Sequence, residues 1–165
     1  MPTSPGSSSP TVVIRPISEQ EPRPPAPSEW DDWGDRDPQA AAGMTIERWL
    51  IEEVLADGSR RAVGDLSAHP VWYGPSTGSR AMNIGISLIP EHRGRGIGGL
   101  AQRLLAQELH ERGIVRVEAS TDVANVPEQR ALARAGFVVE GTLRSAQARA
   151  DGRHDLQVWS HLPSD

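Results

Sequence analysis

A chain of 165 residues is the length of one domain. Its 37% apolar and 24% charged residues suffice for a core and a surface, and 16 Gly with 14 Pro imply many turns. The net charge of −5 sets nucleic-acid binding aside, and the absence of cysteine removes disulfides, thiolate zinc sites and cysteine nucleophiles. All 17 basic residues are arginine, so no lysine can act as nucleophile or Schiff base. No apolar run reaches the roughly 18 residues of a membrane span. The opening MPTSPGSSSP has neither the basic start nor the apolar stretch of a secretory signal, so a cytoplasmic protein is expected.

Residues 1–10 cannot bury enough apolar surface to offset ordering entropy and are expected to form a disordered tail, leaving residues 11–165 as a single domain. Val12, Val13 and Ile14 make a β-branched first strand closed by Pro16. Residues 19–37 set seven acids against two arginines, which accounts for the whole net charge, and add Trp30 and Trp33. Their prolines leave a loop with at most short helical turns. Strands over 45–55, 61–67 and 81–89 follow, separated by Asp57-Gly58 and Pro75-Ser76-Thr77-Gly78, as an antiparallel meander.

Then the period changes. Ile97, Leu100, Ala101, Leu104, Leu105 and Leu109 recur at helical spacing, Gln102, Arg103, Gln107 and Glu111 form the polar face, and Gly113 is the stop. A strand over 114–119, a helix over 125–135 ended by Gly136, and strands over 137–143 and 155–162 around Asp151-Gly152 complete the chain.

Arg93-Gly94-Arg95-Gly96-Ile97-Gly98-Gly99 lies between a strand and the start of the first helix. Glycines there let backbone N–H groups converge on the positive end of the helix, a site suited to phosphate or pyrophosphate. Gly94, Gly96 and Gly99 also satisfy the dinucleotide spacing G-x-G-x-x-G, with Glu118 about twenty residues on. Three antiparallel strands and Pro90-Glu91-His92 precede these glycines, however, where a dinucleotide fold places them directly after its first parallel strand. A Walker loop is excluded by the missing lysine.

The run Pro90, then Arg93-x-x-Gly96-x-Gly98 opening an amphipathic helix, resembles the acetyl-CoA motif of the GNAT N-acetyltransferases, Q/R-x-x-G-x-G/A. Asn125 followed by Arg130-Ala131-Leu132-Ala133-Arg134-Ala135-Gly136-Phe137 is similar to the signature N-x-x-S-x-R-x-L-x-K-x-G-F of the ribosomal-protein N-terminal acetyltransferase-like branch, the RimJ/RimL type. Asp151-Gly152-Arg153-His154-Asp155 fits the same branch.

The resemblance implies an α+β GNAT fold. Its mixed, splayed sheet would have about six or seven strands, a meander and then βαβαββ, with helices on both faces. It further implies acetyl transfer from acetyl-CoA to a primary amine by direct attack in a ternary complex. Ile86, Ser87 and Leu88 would run along the pantetheine arm, and the segment Arg93, Gly94, Arg95, Gly96, Ile97, Gly98 and Gly99 would wrap the pyrophosphate. Asn125 would touch the arm near the thioester, and the Leu88 N–H would be the oxyanion donor. Dimers are frequent in the family, so a homodimer is the oligomer it suggests.

The expected acid and base are less regular. The tyrosine that many members place seven residues after the asparagine is Leu132 here, and the serine three residues after it is Glu128. Glu128 is either a proton carrier near the sulfur or, with Asn125, half of a capping box. Glu118, in a region where related enzymes carry a base acting through water, is either that base or an outward-facing strand residue. Trp30, Asp31, Asp32 and Trp33 are either an acidic, aromatic mouth for a cationic amine or a solvated loop anchored by its tryptophans. No metal ligand set has convincing spacing. The acceptor is a small cationic amine or a protein N-terminal amine, and the alternative function is a non-catalytic acyl-CoA-binding module.

Overall fold

Seven strands form one sheet in a computed structural model that describes residues 9–40 and 42–165. The tail expected over residues 1–10 therefore lies, save for residues 9 and 10, outside the described residues. The strands are β1 (Thr11–Pro16), β2 (Glu47–Val54), β3 (Arg60–Trp72), β4 (Arg80–Leu88), β5 (Val117–Asp122), β6 (Val138–Arg149) and β7 (Gly152–His161), in spatial order β1-β2-β3-β4-β5-β7-β6. Among the described residues only β4 and β5 pair in parallel. The fold is α+β with a mixed, open sheet, as the sequence implies. The strand ends differ: β3 runs on through Pro70 to Trp72, and β6 and β7 extend until they meet at the Asp151 turn.

Helices α1 (Ile97–Glu111) and α2 (Val126–Ala135) join parallel strands, β4 to β5 and β5 to β6. Both crossovers step the same way across the sheet, so the right-handed rule puts both helices on one face. The helices touch there, with Gly99 against the Ala131 carbonyl. The opposite face, where the resemblance also implies a helix, is met by the linker between β1 and β2, with Arg23 pairing with Asp65 of β3 at 3.4 Å, and the regular structure among the linker's described residues is one 3-10 turn over Glu29–Asp31.

Trp49, Ile51, Leu66, Met82 and Ile84 of the sheet meet Ile97, Ala101, Leu105, Leu109 and Leu132 of the helices in a single core. Each large apolar side chain buried there contributes about 1.5–3 kcal/mol. The buried stripe of α1 is shifted from the expected one, because Gln102 is fully buried while Leu100 faces solvent. No described helix is long and apolar enough to cross a membrane.

At the far end of α1, His110 Nδ1 bonds the Ile114 carbonyl at 2.7 Å and His110 Nε2 bonds His161 Nδ1 at 3.0 Å. A carbonyl only accepts, so His110 carries its proton on Nδ1, and the neutral pair is satisfied by a proton on His161 Nδ1. Burial, and then His110, hold the His161 pKa below its ordinary value. The unfolded chain therefore takes up a proton as pH falls below about 6.5 while the folded chain resists it, and stability is lost in that window. His161→Phe should flatten the fall in melting temperature between pH 7 and 5, as read by scanning calorimetry.

Candidate active site

Parallel pairing of β4 with β5 is confined to Met82, Asn83 and Ile84 against Val117, Glu118 and Ala119, and beyond these rungs the two strands part. Gly64 on β3 makes the parting possible. A Cβ built there would stand 2.1 Å from the Ser87 carbonyl oxygen and 2.8 Å from Leu88 Cδ2, so only glycine lets the end of β4 lie down on β3. A register shift at Ile51/Glu52 places a bulge at Val63, whose carbonyl takes the Ile89 N–H at 2.9 Å.

Backbone groups alternate sides along a strand. The Met82 N–H reaches the Arg116 carbonyl in front of β5, and the Ile89 N–H turns to β3. The N–H groups of Ile86 and Leu88 therefore point into the gap, while Ser87 turns its backbone to β3. Ile86 and Leu88 pack on the core yet stay half-exposed, since no strand covers them on that side.

Over the open end stands the glycine turn. Gly94 (φ 73°) and Gly96 (φ 86°) are left-handed, a conformation that favours glycine, and a Cβ on either would meet nothing within 4 Å. Backbone shape, not crowding, requires glycine here, and the space above the turn is open. The first N–H groups of α1 have no intrahelical partner and point into that space. The arginines of the turn are already used. Arg93 bonds the Leu88 carbonyl at 3.0 Å and the Pro27 carbonyl at 2.5 Å, while Arg95 forks onto Glu53 and holds its carboxyl below the usual range. Their side chains brace the loop.

Where α2 begins, Asn125 Oδ1 accepts the Glu128 N–H at 3.3 Å. The Asn125 N–H goes to the Asp122 carbonyl, so the capping box does not close and the Glu128 carboxylate is left free of it. It turns instead to α1 and accepts from Gln102 Nε2 at 2.8 Å. Burial pushes the Glu128 carboxyl up to about 7, with the Gln102 bond acting against the rise.

Glu118 lies on the linker face, one rung before the strands part. Its Oε2 accepts from the Tyr73 hydroxyl at 2.8 Å and Arg116 Nε at 2.9 Å, and the residue is 4% exposed, so it is not an outward-facing strand residue. Arg116 also forks onto Glu140, whose carboxyl it holds down at about 2 with help from Ser160.

The aromatic mouth is already filled by a cation of the chain itself. The Arg149 guanidinium sits 5.5 Å from the Trp30 ring and 5.8 Å from the Trp33 ring, and it pairs with Asp122 at 3.2 Å. Asp32 ties the linker to the turn between β6 and β7 through its carbonyl, which accepts the Ala150 N–H, and Asp31 and Asp32 are exposed. His154 bridges Asp151 and Asp122, and those two carboxylates raise its pKa in that order. Sequence reasoning missed Gly64, Gln102, Tyr73 and Arg149. A glycine inside a strand is a signal for close backbone approach, whereas Gln102 reads as a polar-face residue and only the fold buries it. Arg149, at the end of β6, and Tyr73, just past β3, reach partners distant in sequence and leave no local signal. Among the described residues no three His, Asp or Glu side chains cluster as metal ligands.

A mixed sheet whose central parallel pair parts beneath the glycine-entered start of a helix defines the GNAT fold class. The family model described as the acetyltransferase (GNAT) domain matches residues 8–138, and the chain belongs to that family. Among solved structures it is similar to Mycobacterium smegmatis RimJ in complex with a CoA disulfide, at 25% identity and TM-score 0.57, covering 76% of this chain and 56% of that one. A ribosomal-protein-alanine N-acetyltransferase from Brucella melitensis matches at 22% identity and TM-score 0.57, covering 75% and 72%. The Salmonella typhimurium protein yncA, with its cofactor acetyl-CoA, matches at 18% identity and TM-score 0.56, covering 75% and 67%. The chain thus spans only 56% of the length of RimJ and about two-thirds of that of yncA. No curated protein matches it.

Proposed function

We propose that the chain is an N-acetyltransferase that moves the acetyl group of acetyl-CoA onto a primary amine by direct attack in a ternary complex. The observation that carries this reading is the gap between β4 and β5, lined by the N–H groups of Ile86 and Leu88 and closed at its end by the open glycine turn. The residues fit acetyl-CoA. Amides of Gly94 through Gly99 at the positive end of α1 suit a pyrophosphate, the Ile86 and Leu88 N–H groups suit an amide-rich arm, and Asn125 stands beside the gap at the start of α2. When bound, the thioester supplies an activated acetyl group.

The Leu88 N–H serves as oxyanion donor and Glu128 as the acid. The amine nitrogen bonds to the carbonyl carbon as the carbon–sulfur bond breaks, one proton leaves the amine through water toward Glu118, and Glu128 delivers one to the sulfur. Tyr73, held neutral by burial and by its bond to Glu118, keeps the base in place as a donor.

A protein N-terminal amine is the proposed acceptor, ahead of a small cationic amine. Arg149 already fills the tryptophan pair, which removes the feature that favoured a free cation. Glu118 is also engaged by two donors, and an α-amine with pKa about 7.7–8.0 needs less help from a base than an alkyl amine near 10.4. The ribosomal-protein acetyltransferase among the similar structures points the same way. The proposed location is the cytoplasm, which a cysteine-free chain suits.

Calorimetric titration with acetyl-CoA beside nicotinamide dinucleotides, followed by thiol release with N-terminal peptides and polyamines, tests the reading. Selective acetyl-CoA binding with peptide-dependent release is expected. Binding without release from any amine would make the chain an acyl-CoA-binding module, and preference for a dinucleotide would overturn the site.

A further inference from the structure

We infer that Gln102 is a positioning residue for the leaving sulfur's acid, its buried amide holding the Glu128 carboxyl across the α1–α2 contact. The inference rests on the reading of Glu128 as that acid. Gln102 is 1% exposed and is among the largest fully buried side chains of the molecule. An amide in such a place is unfavourable unless both ends are bonded. Here Nε2 donates to Glu128 Oε1 at 2.8 Å and Oε1 has no partner. A leucine would fill the volume with no orphaned oxygen, so packing alone does not account for glutamine.

Function does account for it. An ionised Glu128 accepts from the amide N–H, and a protonated Glu128 can donate to the amide oxygen after a half-turn about the last side-chain bond. One side chain therefore serves both protonation states without moving either helix, as a group that gives up and regains a proton in every cycle requires. The place is also right. One turn before Gln102 on α1, Gly98 faces Ile86, Leu88 and Ala131, so the pair lies beside the gap. Asn125 is occupied with the Glu128 N–H and leaves the carboxyl to Gln102. Burial raises the carboxyl's pKa and Gln102 lowers it, and no charged side chain adds to either influence.

The variant Gln102→Met keeps an unbranched side chain of similar volume and removes the amide, and Gln102→Leu serves as the second variant should Met pack poorly. Protein labelled with carbon-13 at the glutamate carboxyls, with the Glu128 signal assigned by its loss in Glu128→Gln, is titrated by NMR without acetyl-CoA. The bond to the ionised carboxylate is charge-assisted and stronger than the one to the protonated carboxyl, so loss of the amide should move the Glu128 titration upward by about one pH unit. The alkaline limb of the kcat profile should move by the same amount, with acetyl-CoA affinity changed less than twofold. A titration that stays in place in both variants overturns the positioning role. A titration that moves while the kcat limb does not overturns Glu128 as the acid, and with it the role inferred for Gln102, so the two failures are told apart.

Discussion

Replacing Gly64 with alanine should lower the melting temperature by roughly 3–10 °C and weaken acetyl-CoA binding at least tenfold. The added carbon would stand 2.1 Å from the Ser87 carbonyl oxygen, a distance no pair of such atoms tolerates, and 3.1 Å from Leu88 Cα. Both neighbours are backbone or tethered closely to it, so the strain cannot be relieved by turning a side chain. Either β3 bows away, opening the bulge at Val63, or the end of β4 is driven back toward β5. The first path costs about 1–3 kcal/mol of overpacking. The second narrows the gap and moves the Ile86 and Leu88 N–H groups off the positions the acyl arm needs. Gly85→Ala is the comparison. Its carbon would meet only Ser67 Oγ, at 3.0 Å, and the hydroxyl can turn away, so its melting temperature should stay close to the parent's. Circular dichroism melts and calorimetric titration of the two variants decide the matter. Parent-like binding by Gly64→Ala would mean that the gap does not depend on this close approach.

The contrast between these two glycines shows which parts of the fold could be read from the chain. Periodicity located all seven strands and both helices, because alternation on a half-buried sheet and the 3.6-residue repeat on α1 and α2 are local consequences of burial. The glycine turn was legible for the same reason, since conformation and ligand chemistry act on one short segment. Long-range partners were not. Gln102 reads as a polar-face residue until α2 is set beside α1 and supplies Glu128. Trp30 and Trp33 read as an open cage until β6 brings Arg149 between them from more than a hundred residues away. Arg93 and Arg95 read as phosphate ligands until Pro27, Leu88 and Glu53 claim them. In each case the residue type announced a strong interaction, and only the tertiary fold decided whether its partner was a ligand or the chain itself. The amides of the turn and of Ile86 and Leu88 lack such partners within the secondary structure, and on that account they remain the better candidates for the cosubstrate.

Gly96→Glu should abolish detectable acetyl-CoA binding, a loss of at least a hundredfold, while the fold survives. Two effects act at this position and a second glycine separates them. Gly96 has φ 86° and Gly113 has φ 85°, each with nothing within 4 Å of an added Cβ, so a side chain meets the same strain of about 1–2 kcal/mol at either end of α1. Strain alone would make Gly96→Glu and Gly113→Glu alike. The helix makes them differ. At Gly96 the new carboxylate lies at the positive end of α1, where it bonds unpaired N–H groups and recovers part of the strain. At Gly113 it meets the negative end and recovers none. Gly113→Glu should therefore be the less stable variant and bind acetyl-CoA like the parent, whereas Gly96→Glu should melt higher and not bind, because its own carboxylate occupies the anion site. Gly96→Arg, with the same backbone strain and the opposite charge, should lose much less affinity than Gly96→Glu. Equal loss of binding in the Glu and Arg variants would assign the effect to loop shape rather than to competition for the amides, and retained binding by Gly96→Glu would remove the glycine turn from the site.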